Sequence, residues 1–409
     1  MVEFFILLIC FIFTGLANSA NSFFSNAINL DAIVVTGTLA TLTLIFKSIC
    51  EIGLFTYRSI RKDETAYLLV NFLVSFILGI LIFALRDHIP NLFDINDTQK
   101  QLLSKILSIH VIFLPLNTIN NSLLEMTRLK DKLKLNLLSL ILFYGILILL
   151  DVIVFINYKD IMLLYFVHCI ALIISIVFIF SMLKLKFVKL NKQVFINVYK
   201  YGLFTSIERI FSRVFLLLSD ILASSLGTNN YAIHLVCKGV VLNLENITNA
   251  YETLLLINTY NYNTYNGKYI CTKSIAKKYF FPVLGLGYVL SMIYLVISHG
   301  SLSINECFPY IFIYTLSIAG LYPYETYKTL CINYGKPKIL LLGSACGSIV
   351  RLSLCYIFVA TPYALYVFAI SKFLDFYIRS LIFRIFIDKY KDNKNEVILI
   401  DNKEEILDA

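Results

Sequence analysis

The chain has 409 residues, 59% of them hydrophobic and 15% charged, with a mean hydropathy of +0.78. Its apolar residues run in membrane-length stretches from the first residue to about residue 388, which excludes a soluble globular domain and points to a helical polytopic membrane protein. The formal net charge of +9 is spread one loop at a time, which excludes the clustered basic face of a nucleic-acid-binding protein.

The stretches predict about twelve transmembrane helices, each near the ~20 residues a bilayer core requires. They lie at 3–26, 32–56, 66–86, 101–124, 135–156, 160–182, 196–225, 230–258, 276–298, 303–331, 338–360 and 363–387. The first carries Ala17-Asn18-Ser19-Ala20, similar to a signal-peptidase site. Glu3, however, stands where a signal peptide needs positive charge, so the segment is expected to stay as a span. Thr14, Asn18, Asn21, Ser22 and Ser25 give this span one polar face. The second offers Thr36, Thr43, Lys47 and Glu51, the last two four residues apart and able to neutralise each other. Pro115 is the one kink candidate inside a first-half helix. Asp151, near the end of the fifth span, reads as a snorkelling group.

Most intramembrane charge lies in the second half. In the seventh span Arg209, Arg213 and Asp220 share a helical face, with Glu208 beside it. In the eighth, Lys238, Glu245, Asn249 and Glu252 form a stripe. Ionisable groups in a span are costly and usually face a cavity or a partner. These helices are therefore expected to pair charges across a shared cavity; the alternative is a structural ion network with Lys238 and Glu252 snorkelling. Glu325 follows Pro323 in the tenth span, where a broken helix would expose it. Arg351, and Asp375 with Arg379 one turn on, either complete a polar interior or form one intrahelical pair with a snorkelling arginine.

Basic loops follow the even-numbered spans: Arg58, Arg61 and Lys62; Arg128, Lys130, Lys132 and Lys134; Lys184, Lys186, Lys189 and Lys192; Lys268, Lys273, Lys277 and Lys278; Lys336 and Lys338; Lys389, Lys391 and Lys394. The other loops are poorer, which predicts an inner-membrane protein with both termini cytoplasmic. The nine cysteines show no CxxC and no metal spacing, and read as small buried apolar residues. There is no Trp, so interfacial anchoring falls to tyrosines such as Tyr260, Tyr262, Tyr265 and Tyr390.

The basic linker 184–194 divides the chain into a six-helix bundle at 1–183 and another at 195–388, followed by a charged cytoplasmic tail at 389–409. The halves echo each other. Asp131-Lys-Leu-Lys lies over Gly335-Lys-Pro-Lys, and Asn29-Leu-Asp-Ala32 over Asn229-Asn-Tyr-Ala232, each pair roughly 200 residues apart. Parallel repeats of this kind suit a transporter with its site between lobes.

Three stretches resemble the multidrug and toxic compound extrusion (MATE) transporters, whose superfamily also holds polysaccharide and lipid-linked-sugar flippases. They are Tyr201-Gly202 through Leu226-Gly227-Thr228 to Ala232-Ile-His234, Leu92-Phe93 through Pro115, and the basic turns after spans four and ten. The resemblance implies an all-α fold of two six-helix bundles and a monomeric transporter without cofactor, coupled to H⁺ or Na⁺. It makes Glu208, Glu325 and Asp220 the coupling candidates. This chain lacks the Asp and Pro that many members carry in the first span. Asn18, Asn21, Thr43, Arg209, Arg213, Lys238, Glu245, Asn249 and Arg351 are the cavity candidates. Two readings follow, both with membrane lipid as surroundings. The first is an exporter of an organic solute, drug-like cations included. The second is a flippase whose cations hold the pyrophosphate or acidic sugars of a lipid-linked substrate. A membrane enzyme would need a surface cluster of His, Asp or Arg; the outer loops are short and the five His dispersed.

Overall fold

The computed structural model describes residues 2–60, 62–130, 132–185, 190–260, 262, 264–334 and 337–391. No β-strand occurs among them. The first half contains α1 (Val2–Asn26), α2 (Leu30–Cys50), α3 (Ile52–Ile60), α4 (Glu64–Leu85), a 3-10 turn at Ile89–Leu92, α5 (Asp97–Leu129), α6 (Leu133–Asn157) and α7 (Ile161–Leu183). The second contains α8 (Lys192–Asn197), a π-helical turn at Val198–Gly202, α9 (Leu203–Ser224), α10 (Thr228–Tyr260), α11 (Tyr265–Ser298), α12 (Ile304–Thr315), α13 (Ser317–Asn333), α14 (Pro337–Phe358) and α15 (Ala364–Lys391).

Three of the expected spans are interrupted: α2–α3 at Glu51, α8–α9 by the π turn, and α12–α13 at Leu316. The tenth-span break thus falls seven residues before Pro323, which sits inside α13 without ending it. Pro115 likewise lies within a continuous α5. Among the described residues, nine helices are long and apolar enough to cross a membrane. The remaining long helices, α9, α10 and α15, carry buried charges such as Asp220, Lys238 and Asp375.

The chain is a multi-pass membrane protein. Large apolar side chains such as Ile77, Val177, Phe281, Val289 and Ile357 cover its outer faces, as a lipid-facing surface requires. The turns remote from the termini, here the far end, are well capped. Asn29 accepts from the Ala32 amide at 2.8 Å, Asn96 and Gln99 form a reciprocal box, and Asp160 accepts from the Met162 amide at 2.7 Å.

The first half meets the second through α1, which packs on α10 and α11, and α2, which packs on α9 and α10. Two glycines permit this approach. A Cβ on Gly37 would lie 2.8 Å from the Leu235 Cβ, and one on Gly15 would lie 2.4 Å from the Tyr294 hydroxyl. The largest apolar cluster joins α2 and α5 to α10, α11 and α12. Asp131, Gly335 and Lys336 of the repeat, Arg61, Lys186, Lys189 and the tail from 392 lie outside the described residues, as do the Tyr260 and Tyr390 side chains.

Candidate functional site

A cavity of about 660 Å³ lies between the halves, within the ~300–1,000 Å³ common for ligand sites. The first half contributes residues from α1, α2, α3, α5, α6 and α7, and the second from α9, α10, α13, α14 and α15. On α2 the lining begins at Ala40, on α10 at Leu242, and on α9 it ends at Leu216. On the first-half side the lining runs to Ser25 on α1 and begins at Leu164 on α7, while beyond Ala40, Leu242 and Leu216 α2 closes on α9 and α10 at the far end. There Thr38 and Tyr231 share a hydrogen bond of 3.0 Å, and the Asn26 amide donates to the Ser298 carbonyl at 2.7 Å.

The first-half wall is rich in amides and aromatic rings. Asn18 and Asn21 on α1 face Asn117, Asn120 and Asn121 on α5, with Tyr144 and His168 alongside. Tyr144 donates to Asn18 at 3.0 Å, and Ser175 donates to Asn120 at 2.7 Å. Toward the termini, Glu125 is shared by Arg58 at 3.1 Å and Arg128 at 3.3 Å. Lys47 and Glu51 pair along their helix at 3.6 Å.

The second-half wall is ionic. Lys328 is shared by Glu252 at 3.0 Å and Glu325 at 2.8 Å. Lys372 on α15 reaches Glu245 on α10 at 2.8 Å. Arg379 grips both oxygens of Asp375, at 2.5 and 2.9 Å, and donates to Ser212, Ser344 and Ser348 on α9 and α14. Ser344 in turn donates to Glu208 at 2.5 Å. Arg351 approaches Asp375 only to 4.0 Å. Arg209 lies over the Phe55 ring at 4.5 Å, and neither it nor Arg213 has an ion pair or hydrogen bond among the described residues. The lining carries nine Lys and Arg side chains against seven carboxylates, so the cavity is net positive.

Past the cavity, in the far-end seal, Asp220 sits fully buried on α9. Lys238 on α10 donates to it, and Thr41 on α2 donates to the same oxygen at 2.5 Å. Its other oxygen is 3.1 Å from His234 Nε2, and His234 Nδ1 is 2.5 Å from the Tyr314 hydroxyl. A carboxylate accepts, so Nε2 carries the proton and Tyr314 donates to Nδ1. Each member has its partners, and the set ties α2 to α9, α10 and α12.

The structure therefore gathers Asn18, Asn21, Thr43, Glu208, Arg209, Arg213, Glu245, Asn249, Glu325 and Arg351 around one space. It places Lys238 and Asp220 elsewhere. Lys238 does not face the cavity and, at 1% exposure, does not snorkel: its chain is enclosed and its ammonium is held by Asp220. Asp151 does not snorkel either. It is fully buried, and neither carboxylate oxygen has a hydrogen-bond partner. Glu325 is 4% exposed and reaches the cavity from an unbroken α13, so no helix break uncovers it.

Sequence reasoning missed the α5 contribution and Arg58, Arg128, Lys328 and Lys372. Arg58 and Arg128 counted as loop charges, yet both line the cavity. The signal lay in spacing: Asn117, Asn121, Glu125 and Arg128 recur every three or four residues on one face of α5.

The arrangement of these helices is the fold of the solved MATE transporter structures. No protein-family profile matches the chain, and no curated protein matches it in sequence. Solved structures do match. An inward-facing multidrug-resistance MATE transporter of the MOP superfamily aligns with TM-score 0.71 at 14% identity, over 92% of this chain and 95% of that one. The outward-facing conformation of such a transporter aligns with TM-score 0.71 at 14% identity, over 95% and 96%. A MATE structure in the bent conformation aligns with TM-score 0.67 at 13% identity, over 95% and 94%.

Proposed function

We propose that this chain is a secondary transporter, not an enzyme, which moves an organic solute out of the cell by alternating access of 1–183 against 195–388. It works as a monomer in the inner membrane with both termini cytoplasmic. One observation carries the reading: a polar cavity is shared by both halves and reaches toward the end that holds the termini, while at the other end α2 closes on α9 and α10. Opening the far end while closing the near one would pass a solute across without exposing the bilayer core to it. The multidrug resistance in the neighbours' names supports an exporter of drug-like compounds.

Coupling to H⁺ or Na⁺ is part of the proposal. Glu208 and Glu325 meet both the cavity and the ionic wall. Asp220 is the weaker candidate, since Lys238 already occupies the place a cation would take. Asp151 joins the candidates, because a proton there removes a charge that nothing nearby compensates.

The flippase reading has its own support in the excess of cavity cations, which suits an anionic lipid-linked sugar. Proteoliposomes with an imposed H⁺ or Na⁺ gradient separate the two. Uptake of a cationic dye that is lost in Glu208→Gln, Glu325→Gln or Asp151→Asn supports the coupled exporter. Translocation of a fluorescent lipid-linked sugar without dye movement supports the flippase. Movement of neither with either gradient sinks the transporter reading.

A further inference from the structure

A second group of cations lies outside the cavity, at the near end that holds the termini, where α11, α13 and α15 meet. Lys273 on α11 donates to the Tyr327 hydroxyl on α13 at 2.6 Å. Its ammonium also lies 4.4 Å from the centre of the Tyr327 ring and 5.5 Å from that of Tyr269. Tyr269 donates to Asp388 on α15 at 3.5 Å, and Asp388 meets Arg384, one turn back on its helix, at 3.5 Å. Lys277, one turn after Lys273, is exposed, as are Lys278 beside it and Lys389 on α15; Lys268, farther out on α11, is enclosed. Counter-charge is scarce. α11 has no acidic residue, and Glu325 of α13 turns to the cavity, where Lys328 holds it. Among the described residues of these three helices, Asp388 is the one carboxylate on this side.

Helix length sets the depth of the group. About twenty residues cross a bilayer core. Counted from the far ends of α11 and α15, at Ser298 and Ala364, they run to Tyr279 and Phe383. Lys273, Lys277 and Arg384 fall just past those limits, at the level of lipid headgroups. Phe281 and Leu381, both exposed, continue as apolar surface on the core side. We propose that Lys273, Lys277, Tyr327 and Arg384 bind the phosphodiester headgroup of an anionic phospholipid in the leaflet at the near end. Basic recesses between transmembrane helices suit such headgroups at this depth. Arg384 gives one nitrogen to Asp388 and keeps its other donors for a phosphate oxygen. Lys273 uses one proton on Tyr327, and because Tyr327 accepts there, its own O–H is left to donate. The acyl chains would follow Phe281 and Leu381 into the core. A zwitterionic lipid brings a cation of its own, which Lys277 and Arg384 repel. Tyr327 shares α13 with Glu325 and Lys328, so the lipid braces from outside a helix that forms the cavity wall.

The test is lipid binding to the full, delipidated chain in detergent, counted by native mass spectrometry. The probes are phosphatidylglycerol, phosphatidylcholine and soluble glycerol phosphate. Wild type should prefer phosphatidylglycerol. Lys273→Gln combined with Arg384→Gln should weaken binding of that lipid about tenfold or more, each cation near a headgroup accounting for about fivefold. Tyr327→Phe, which alters no charge, should weaken it about threefold or more. Lys192→Gln, which removes an exposed near-end cation on α8, should leave it unchanged. Melting in the same detergent confirms that each variant folds. Equal binding of phosphatidylcholine by wild type, or variants that bind like wild type, would overturn the proposal. So would equal weakening by Lys192→Gln, since it would mean a diffuse basic surface. Glycerol phosphate that binds as well as the lipid would overturn the lipid assignment in favour of a soluble phosphate ligand. The site stands or falls apart from the transport reading, because none of its residues lines the cavity.

Discussion

At the far end Asp220 meets Lys238, His234 and Thr41 in a dry contact between the halves, whereas toward the termini Glu125 is shared by two arginines and Lys328 by two glutamates around open space. Both regions use charged side chains inside the membrane, but their accounts differ. In the seal each charge has a partner, so the network holds four helices together and offers nothing to a ligand. Around the cavity the groups are unevenly matched. The first-half cluster is left positive and the Lys328 cluster negative, and Arg213 has no ion pair or hydrogen bond among the described residues, with Glu245 its nearest counter-charge. Complete pairing marks the structural region, and incomplete pairing marks the one that can bind.

The sharpest way to break that contrast is to unbalance the seal. Lys238→Met leaves Asp220 charged and enclosed, a loss that typically costs about 3–5 kcal/mol for a buried pair. The variant should melt well below wild type in detergent. Adding Asp220→Asn should restore much of the loss, because the stranded charge is gone. If the double variant melts no higher than the single, the network is not acting as a pair.

A milder probe is Thr41→Val, which keeps the shape and removes the hydroxyl between Asp220 and Lys238. Leaving buried partners one hydrogen bond short costs about 1–3 kcal/mol. Since Thr41 is the first-half member of the network, the change should also loosen the far end. A spin-label pair across α2 and α10 would report this as a longer or broader distance distribution; an unchanged distribution would confine the role of Thr41 to local packing.

On the cavity side, Glu125→Gln leaves Arg58 and Arg128 without their shared carboxylate. Those arginines keep 31% and 19% of their side-chain surface exposed, so water offsets part of the loss. Screened pairs of this kind contribute about 1 kcal/mol or less. The melting shift should be smaller than for Thr41→Val, and it should shrink further in high salt.

The fold was legible because it is written in long apolar runs and in the alternation of basic loops, signals that survive without any knowledge of contacts. The second-half charges could be grouped by helical spacing alone, and most of them do share the cavity. Spacing could not tell Lys238 from Glu245: both lie on the α10 stripe, and only the depth at which α2 closes on α10 separates them. Arg58 and Arg128 were hidden by a different ambiguity, since a basic residue at a span end serves the positive-inside pattern equally well from a loop or from a cavity wall. Asp151 shows the limit most plainly. Its place near a helix end suggests a route to water, and whether α6 leaves that route open is a matter of packing.

The smallest expected effect is the most discriminating. Arg213 lies inside the membrane-spanning body, where removal of a charged residue is ordinarily severe, yet no ion pair or hydrogen bond among the described residues depends on it. Arg213→Gln should therefore change the melting temperature little, within the ~0.5 kcal/mol typical of unconstrained positions. Any shift should be small in either direction, because Arg209 loses a like-charged neighbour while Glu245 loses an attracting charge. A large destabilisation would mean that Arg213 belongs with the seal, as a structural charge whose partner appears only in another conformation. A silent substitution would leave it without a structural task, and a retained, unpaired guanidinium facing a cavity is then explained by what enters that cavity.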